Sequence, residues 1–230
     1  MKKLSLFIVI FIVSLFSLNV YADTVLSEFI GGIKPDAVMS KPISQDEYNT
    51  CLQTTNPEDY QSCILNIMNK HHASIQAIAF YKYSRGWIVK YKTYDKLTVI
   101  YASIPGADYS DGYFIINDQG VIINVDDYSI IGNLDISKNS HYQQIIQHFP
   151  SASLWPGNHQ SFPDKVTSPE NSPRFVFTYS LLNGCHACEI AGTATIGFDF
   201  DNDGNFLNAQ LIDLTPALTN TSSPSAGTAS

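Results

Sequence analysis

The stretch from Phe175 to Leu214 constrains the fold of this chain most, because large apolar residues alternate there with small or polar ones. A two-residue period is typical of β-strands, whose successive side chains point to opposite faces. Asn183-Gly184 ends the first run and Asp203-Gly204 separates the second from the third, and both dipeptides favour tight turns. The stretch therefore predicts a three-stranded antiparallel meander, with Cys185-His186-Ala187-Cys188 at the tip between its first two strands.

The N-terminus determines the redox environment of these cysteines. Lys2 and Lys3 precede an apolar run from Leu4 through Phe16, and Val20-Tyr21-Ala22 places small residues where a signal peptidase cuts. The run is shorter than the roughly 20 residues that a membrane-spanning helix needs, and no cysteine follows the cut to accept lipid. We expect residues 1–22 to be a cleaved export signal. The mature chain would begin at Asp23 and be periplasmic or secreted, without stable membrane insertion.

The charge of the mature chain limits its partners. The whole chain has 13 basic and 21 acidic residues. Removal of the signal takes away two lysines and no acid, which leaves 11 against 21 and a formal charge of −10. This charge argues against nucleic acid and favours a basic extracytoplasmic protein as partner. The length suits one core, so we predict a single α+β domain over 23–217 and a disordered Ser/Thr-rich tail over 218–230. The sequence leaves the oligomeric state open.

Four cysteines, an even number in an exported chain, predict two disulfides. Three pairings exist, and proximity favours Cys51–Cys63 together with Cys185–Cys188. The first pair falls in a predicted helical hairpin. A capping box at Ser44-Gln-Asp-Glu47 starts a helix from Gln45 to about Gln53. Asn56-Pro57 starts a second helix, with Tyr60, Cys63, Ile64, Ile67 and His71 on one face.

The remaining elements follow from periodicity and turn residues. From Ser74 a period of two predicts strands over Ile75 to Tyr83, Trp87 to Tyr94 and Leu97 to Ile104, and a hairpin follows over 113–125. Ser140 to Phe149 is predicted as a short helix with Ser140 as its cap. We interpret 23–42 as a lead-in segment and 150–173 as a loop. The fold class is then α+β, an antiparallel sheet with an N-terminal helical hairpin and one further short helix.

The Cys-His-Ala-Cys loop admits three kinds of chemistry. As a redox pair, Cys185 and Cys188 would resemble a thiol-disulfide centre, with His186 stabilising the thiolate. The residues after Cys188 predict a strand, however, so the helix dipole that activates such a thiolate would be missing. As a metal site, Cys185, His186 and Cys188 would suit zinc or copper, but the sequence offers no fourth ligand. We expect a structural disulfide and no cofactor or metal. Whether the protein is an enzyme stays uncertain, with the balance against it.

Two further patterns have simpler explanations. Asp199-x-Asp201-x-Asp203-Gly204 matches the first half of a calcium-binding EF-hand loop, but its twelfth position is Gln210 instead of glutamate and its flanks predict strands. We interpret it as a solvated hairpin turn. Five basic residues lie among aromatic ones between Tyr81 and Lys96, and the same-side spacing of Lys90 and Lys92 is typical of the solvent face of a half-buried sheet.

Residues 175–214 predict a strand, a cysteine loop that contains a histidine, a second strand, a tight turn and a third strand. This order, in an acidic exported protein, resembles that of the Ivy-type periplasmic lysozyme inhibitors. The resemblance covers residues 175–214. It implies that Cys185, His186, Ala187 and Cys188 form a binding loop that enters the cleft of a target enzyme. The family has four residues between the cysteines, Lys-Pro-His-Asp, and this chain has two. We therefore expect an exported binding or inhibitory module. The alternatives are a periplasmic thiol-disulfide oxidoreductase and a non-catalytic envelope or secreted protein.

Overall fold

The computed structural model describes residues 24–54, 56–104, 111–155 and 162–217. The expected export signal and tail lie outside them. The described residues form an α+β fold of five helices and ten strands, as predicted. The helices are α1 Gln45–Leu52, α2 Pro57–Lys70, α3 Ile75–Ser84, α4 Tyr128–Ile131 and α5 Ser140–His148. The strands are β1 Thr24–Val25, β2 Trp87–Tyr94, β3 Leu97–Ser103, β4 Asp111–Asn117, β5 Val121–Asn124, β6 Ala152–Trp155, β7 Asp164–Thr167, β8 Pro173–Asn183, β9 Ile190–Phe200 and β10 Phe206–Pro216.

The strands form two antiparallel sheets that pack face to face. The N-terminal sheet has the order β1-β5-β4-β3-β2, and the C-terminal sheet has the order β10-β9-β8-β6, with β7 also paired to β8. The predicted meander is confirmed as β8, β9 and β10. Its apolar residues, among them Phe175, Phe177, Ile196 and Phe198, share one core with Val99 and Ile115 of the N-terminal sheet.

Helix α3 covers the other face of the N-terminal sheet. Phe80 of α3 packs with Ile100 and Phe114 of that sheet, and the Phe80 and Phe114 rings meet edge to face at 5.0 Å. The hairpin of α1 and α2 packs with the opposite side of α3, through Ile64, Met68 and Tyr81 among others. Because β3 and β4 are covered on both faces, they are apolar nearly throughout. None of the helices within the described residues is long and apolar enough to cross a membrane.

The prediction of a strand over Ile75 to Tyr83 is wrong, because these residues form α3. This helix lies between the hairpin and the N-terminal sheet, so both of its sides are buried and it lacks the one-sided apolar stripe that identifies surface helices. Ser74 caps it by accepting a hydrogen bond from the Ala77 amide. Gln76 is 4% exposed and donates to the Glu28 and Gly32 carbonyls. The helix thereby anchors the chain's first described segment.

Three smaller predictions are also corrected. The predicted loop over 150–173 contains β6 and β7, two edge strands of the C-terminal sheet that are too short to give a clear period. The lead-in segment contains β1, which pairs with β5, and two turns of 3₁₀ helix. The cap of α5 is Asn139 rather than Ser140, since its side chain accepts a hydrogen bond from the His141 amide.

The predicted helical hairpin is confirmed, and its first helix begins with the expected capping box. The Glu47 carboxylate accepts hydrogen bonds from the Ser44 amide at 3.1 Å and the Ser44 hydroxyl at 2.8 Å. It also lies 2.9 Å from His71 Nε2 at the end of α2. The bonds from the Ser44 backbone and side chain lower the pKa of Glu47 from 4.5 to about 2. Glu47 therefore joins the start of α1 to the end of α2 in its ionised form.

We expect Glu47→Gln to reduce the acid sensitivity of folding. A carboxyl whose pKa is lower in the folded state stabilises that state fully above its unfolded pKa, and the contribution is lost as the pH falls through the folded pKa. For Glu47 this window runs from 4.5 down to about 2. Thermal unfolding followed by circular dichroism between these pH values should show a shallower loss of stability in Glu47→Gln than in the wild type. Asp46→Asn, which removes an exposed neighbouring carboxyl, is the control, and equal slopes in all three proteins would contradict the assignment.

Candidate binding site at the tip of the C-terminal sheet

The segment joining β8 to β9 forms a small closed loop. Cys185 and Cys188 are bridged by a disulfide, as predicted. The Cys188 amide donates to the Cys185 carbonyl at 3.0 Å, and the Asn183 amide donates to the Glu189 carbonyl at 3.0 Å. Gly184 adopts a φ of +92°, a backbone conformation that glycine reaches without strain. One covalent bond and two hydrogen bonds therefore hold a loop of only a few residues.

The loop is attached to the neighbouring edge strand β6. The Ser151 amide, just before that strand, donates to Asn183 Oδ1 at 3.2 Å. Residues Ala152 to Trp155 then pair antiparallel with β8, from Asn183 back to Ser180. This contact fixes the direction in which the loop leaves the sheet.

The side chains of the loop are accessible, and an aromatic ring lies beside them. Cys185, His186 and Ala187 are exposed, and Ile190, which begins β9, is 55% exposed. The rings of His186 and Trp155 are 6.0 Å apart and tilted by 60°. The structure thus brings the four predicted site residues, Cys185, His186, Ala187 and Cys188, together at the tip.

Trp155 belongs to this surface and was missed in the sequence, where it lay in an expected loop. Ala152 and Leu154 of β6 are buried in the core between the sheets, so Ser153 and Trp155 point to the outer face. The indole N–H of Trp155 is buried and has no hydrogen-bond partner among the residues that the structure describes. The alternation over residues 152–155 was the available signal, but a single strand of four residues seldom stands out.

Two observations describe the surroundings of the two cysteines. Cys188 is followed by the strand β9 and not by a helix, so no helix N-terminus lowers the pKa of a thiolate here. The cysteine sulfurs are joined to each other, and no group of three or more metal-binding side chains lies together within the described residues. What the tip offers chemically is a rigid, exposed contact surface.

The acidic turn between β9 and β10 is held by its own hydrogen bonds. Asp201 Oδ1 accepts from the amides of Asp203 and Asn205, each at 2.8 Å, and Asp201 Oδ2 accepts from the Asn205 side chain. Partial burial raises the pKa of Asp201, but these bonds from Asn205 and Asp203 outweigh it and leave the pKa below its ordinary value. Lys96 pairs with Asp203 at 2.8 Å. The turn is thus closed by contacts within the protein, as a hairpin turn would be.

A separate cavity of about 480 Å³ lies between the two helices of the hairpin. It is lined by side chains of both helices, including Glu47, Asp59, Cys63 and Lys70. Two acidic residues and one basic residue line this cavity together with Cys63, which is bridged to Cys51. None of the predicted binding residues lines it.

Comparisons with known proteins do not assign the chain to a family. No family model, no curated protein and no solved structure matches it. The functional interpretation therefore depends on the residues and geometry described above.

Proposed function

We propose that this protein is an exported binding or inhibitory module that contacts a basic extracytoplasmic protein through the tip of its C-terminal sheet. The tip surface consists of Trp155, Cys185 to Cys188 and Ile190. The observation that carries the proposal is the exposed histidine in a disulfide-closed loop beside a tryptophan. Two disulfides also fit an extracytoplasmic location.

A rigid tip favours binding because little conformational freedom is left to lose. Ordering a flexible side chain or loop at an interface costs affinity, and a loop already closed by a disulfide avoids much of that cost. Tryptophan is among the residues enriched at the energetic centres of interfaces. Buried polar groups without a partner are uncommon in folded proteins and call for an explanation, and the indole N–H of Trp155 is such a group among the described residues.

Charge supports a basic partner. The mature chain would carry a formal charge of −10, which attracts cationic proteins and raises the rate of association more than the final affinity. The resemblance to Ivy-type inhibitors points in the same direction, since lysozymes of the common animal type are basic. The two-residue span between Cys185 and Cys188 is shorter than the family's loop. Contact would therefore extend onto Trp155 and Ile190.

The test is calorimetric titration of the mature chain against a panel of lysozymes at low and moderate salt. We expect saturable binding that weakens as the salt rises, and His186→Ala should weaken it about tenfold. His148→Ala is the matched control, because it removes an exposed histidine from the end of α5 and leaves the tip intact. Equal binding by His186→Ala, His148→Ala and the wild type would mean that only net charge acts, and the tip proposal would be abandoned.

A further inference from the structure

The sheet edges differ in how well they are protected against an added strand. At β6, the hydroxyls of Tyr142 and Tyr128 donate to the outward carbonyls of Ala152 and Leu154. β10 carries two register shifts, and His141 of α5 contacts the Leu214 carbonyl. β1 has two residues and β7 has four. Capped carbonyls, bulges and short length each hinder edge pairing.

β2 is the exception among these edges. It is eight residues long, and among the described residues β3 is its only neighbour in the sheet. A register shift between Ile88 and Lys90 disturbs its first half, but Lys90 to Tyr94 pair with Tyr101 to Leu97 without interruption. In an antiparallel edge strand, alternate residues turn their N–H and C=O groups away from the neighbour. The second half of β2 therefore presents a regular row of such groups.

The side chains on this edge are basic in an acidic protein. Lys90 and Lys92 are exposed, and no acidic side chain of the described residues forms a salt bridge with either. Lys90 Nζ lies 4.9 Å from the ring centres of both Tyr101 and Phe162, and Lys92 Nζ lies 4.8 Å from that of Tyr94. Cation–π contacts hold both ammonium groups on one face of the strand without neutralising them.

We propose that the β2 edge from Lys90 to Tyr94 is a docking site for an extended acidic segment of a partner protein. The segment adds as a further strand of the N-terminal sheet, and its backbone bonds to the outward groups of β2. Successive side chains of a strand alternate between faces, so acidic residues at every second position meet Lys90 and Lys92. The residues of the segment that lie between its acidic residues have their side chains on the same face of the sheet as Tyr91. The charge of the two lysines thus selects acidic strands over neutral or basic ones.

The test uses a fluorescent peptide of about six residues with alternating glutamate and valine. Two versions carry N-methyl groups, one on every glutamate and the other on every valine. Because alternate residues of a strand point their N–H groups in opposite directions, one of the two must lose its bonds to β2. We expect the parent peptide to bind saturably in fluorescence anisotropy, one methylated version to fail, and a lysine-valine peptide not to bind. Outward amides of residues 90–94 should exchange hydrogen more slowly in the complex.

Lys90→Gln/Lys92→Gln should weaken binding of the parent peptide at least about fivefold. Lys41→Gln/Lys70→Gln changes the net charge equally, in the segment before α1 and at the end of α2, and should leave binding unchanged. His186→Ala should also have no effect, which separates this site from the tip. The proposal fails if the parent peptide does not bind or if both methylated peptides bind as well as it does. It also fails if Lys90→Gln/Lys92→Gln and Lys41→Gln/Lys70→Gln change the affinity for the parent peptide equally. In those cases the lysines only protect the edge from pairing.

Discussion

Replacing Cys51 and Cys63 together by alanine is expected to lower the free energy of unfolding by about 3 kcal/mol. The bridge links residues 12 apart in sequence, one on each helix of the hairpin. Loss of the bridge increases the conformational entropy of the unfolded chain more than that of the folded one. Position 51 is fully buried in a cluster with Tyr48 and Ile64, so the folded state keeps its packing there. The two helices share one small core with Met39, Ile43 and residues of α3, and the bridge ties them to each other within it.

The second disulfide provides the control. Cys185→Ala/Cys188→Ala opens a loop whose ends are only three residues apart, and the same entropic estimate gives about 2 kcal/mol. Denaturant unfolding of both variants and the wild type measures the two losses, and peptide mapping under non-reducing conditions checks the pairing. A larger loss for the tip variant than for the hairpin variant would contradict this account. So would a bridge between the hairpin and the tip.

Arg174→Met is expected to destabilise the protein by about 3–5 kcal/mol. Arg174 and Asp199 are 7% and 3% exposed and form a two-point ion pair, with Nε to Oδ1 at 2.5 Å and Nη2 to Oδ2 at 2.9 Å. The Gln210 amide also donates to Asp199. A Cβ at position 197 would lie 2.8 Å from Arg174 Cδ, so glycine leaves room for the arginine. Without the guanidinium, a nearly buried carboxylate keeps only a neutral partner.

Denaturant unfolding should distinguish the loss of the pair from the loss of arginine alone. Arg85→Met removes an exposed arginine and should change the stability by less than about 0.5 kcal/mol. Arg174→Met/Asp199→Leu removes both charges and should recover much of the loss, because the penalty arises from the unpaired carboxylate. If the double variant were less stable than Arg174→Met, the pair would not be the cause.

Local signals in the sequence predicted the parts of the fold that depend on local structure. The capping box at Ser44, the Asn56-Pro57 start and the meander over 175–214 each specify their own element. The helix at Ile75 to Ser84 was missed because its environment, a hairpin on one side and a sheet on the other, is set by distant residues. The packing of the two sheets depends on contacts between distant segments, which no local pattern reports.

The candidate site likewise has one part that the local sequence predicts and another that it does not. The disulfide loop could be predicted because its cysteines are close in sequence and the expected export of the chain favours their oxidation. The position of Trp155 beside His186 could not, since it requires β6 to pair with β8 in one particular register. The open edge at β2 likewise follows from the order of strands in the sheet. Both surfaces thus depend on contacts between segments that are distant in sequence.

Each sheet is built from one continuous half of the chain. The strands of the N-terminal sheet end at Asn124, and those of the C-terminal sheet begin at Ala152. Among the described residues, no strand of one half pairs with a strand of the other, so a cut between Asn124 and Ala152 would leave every described strand pairing intact. Each fragment would keep a complete sheet and expose one half of the shared core. The two fragments should therefore bind each other through the exposed core residues. This arrangement suits the protein to split-protein complementation.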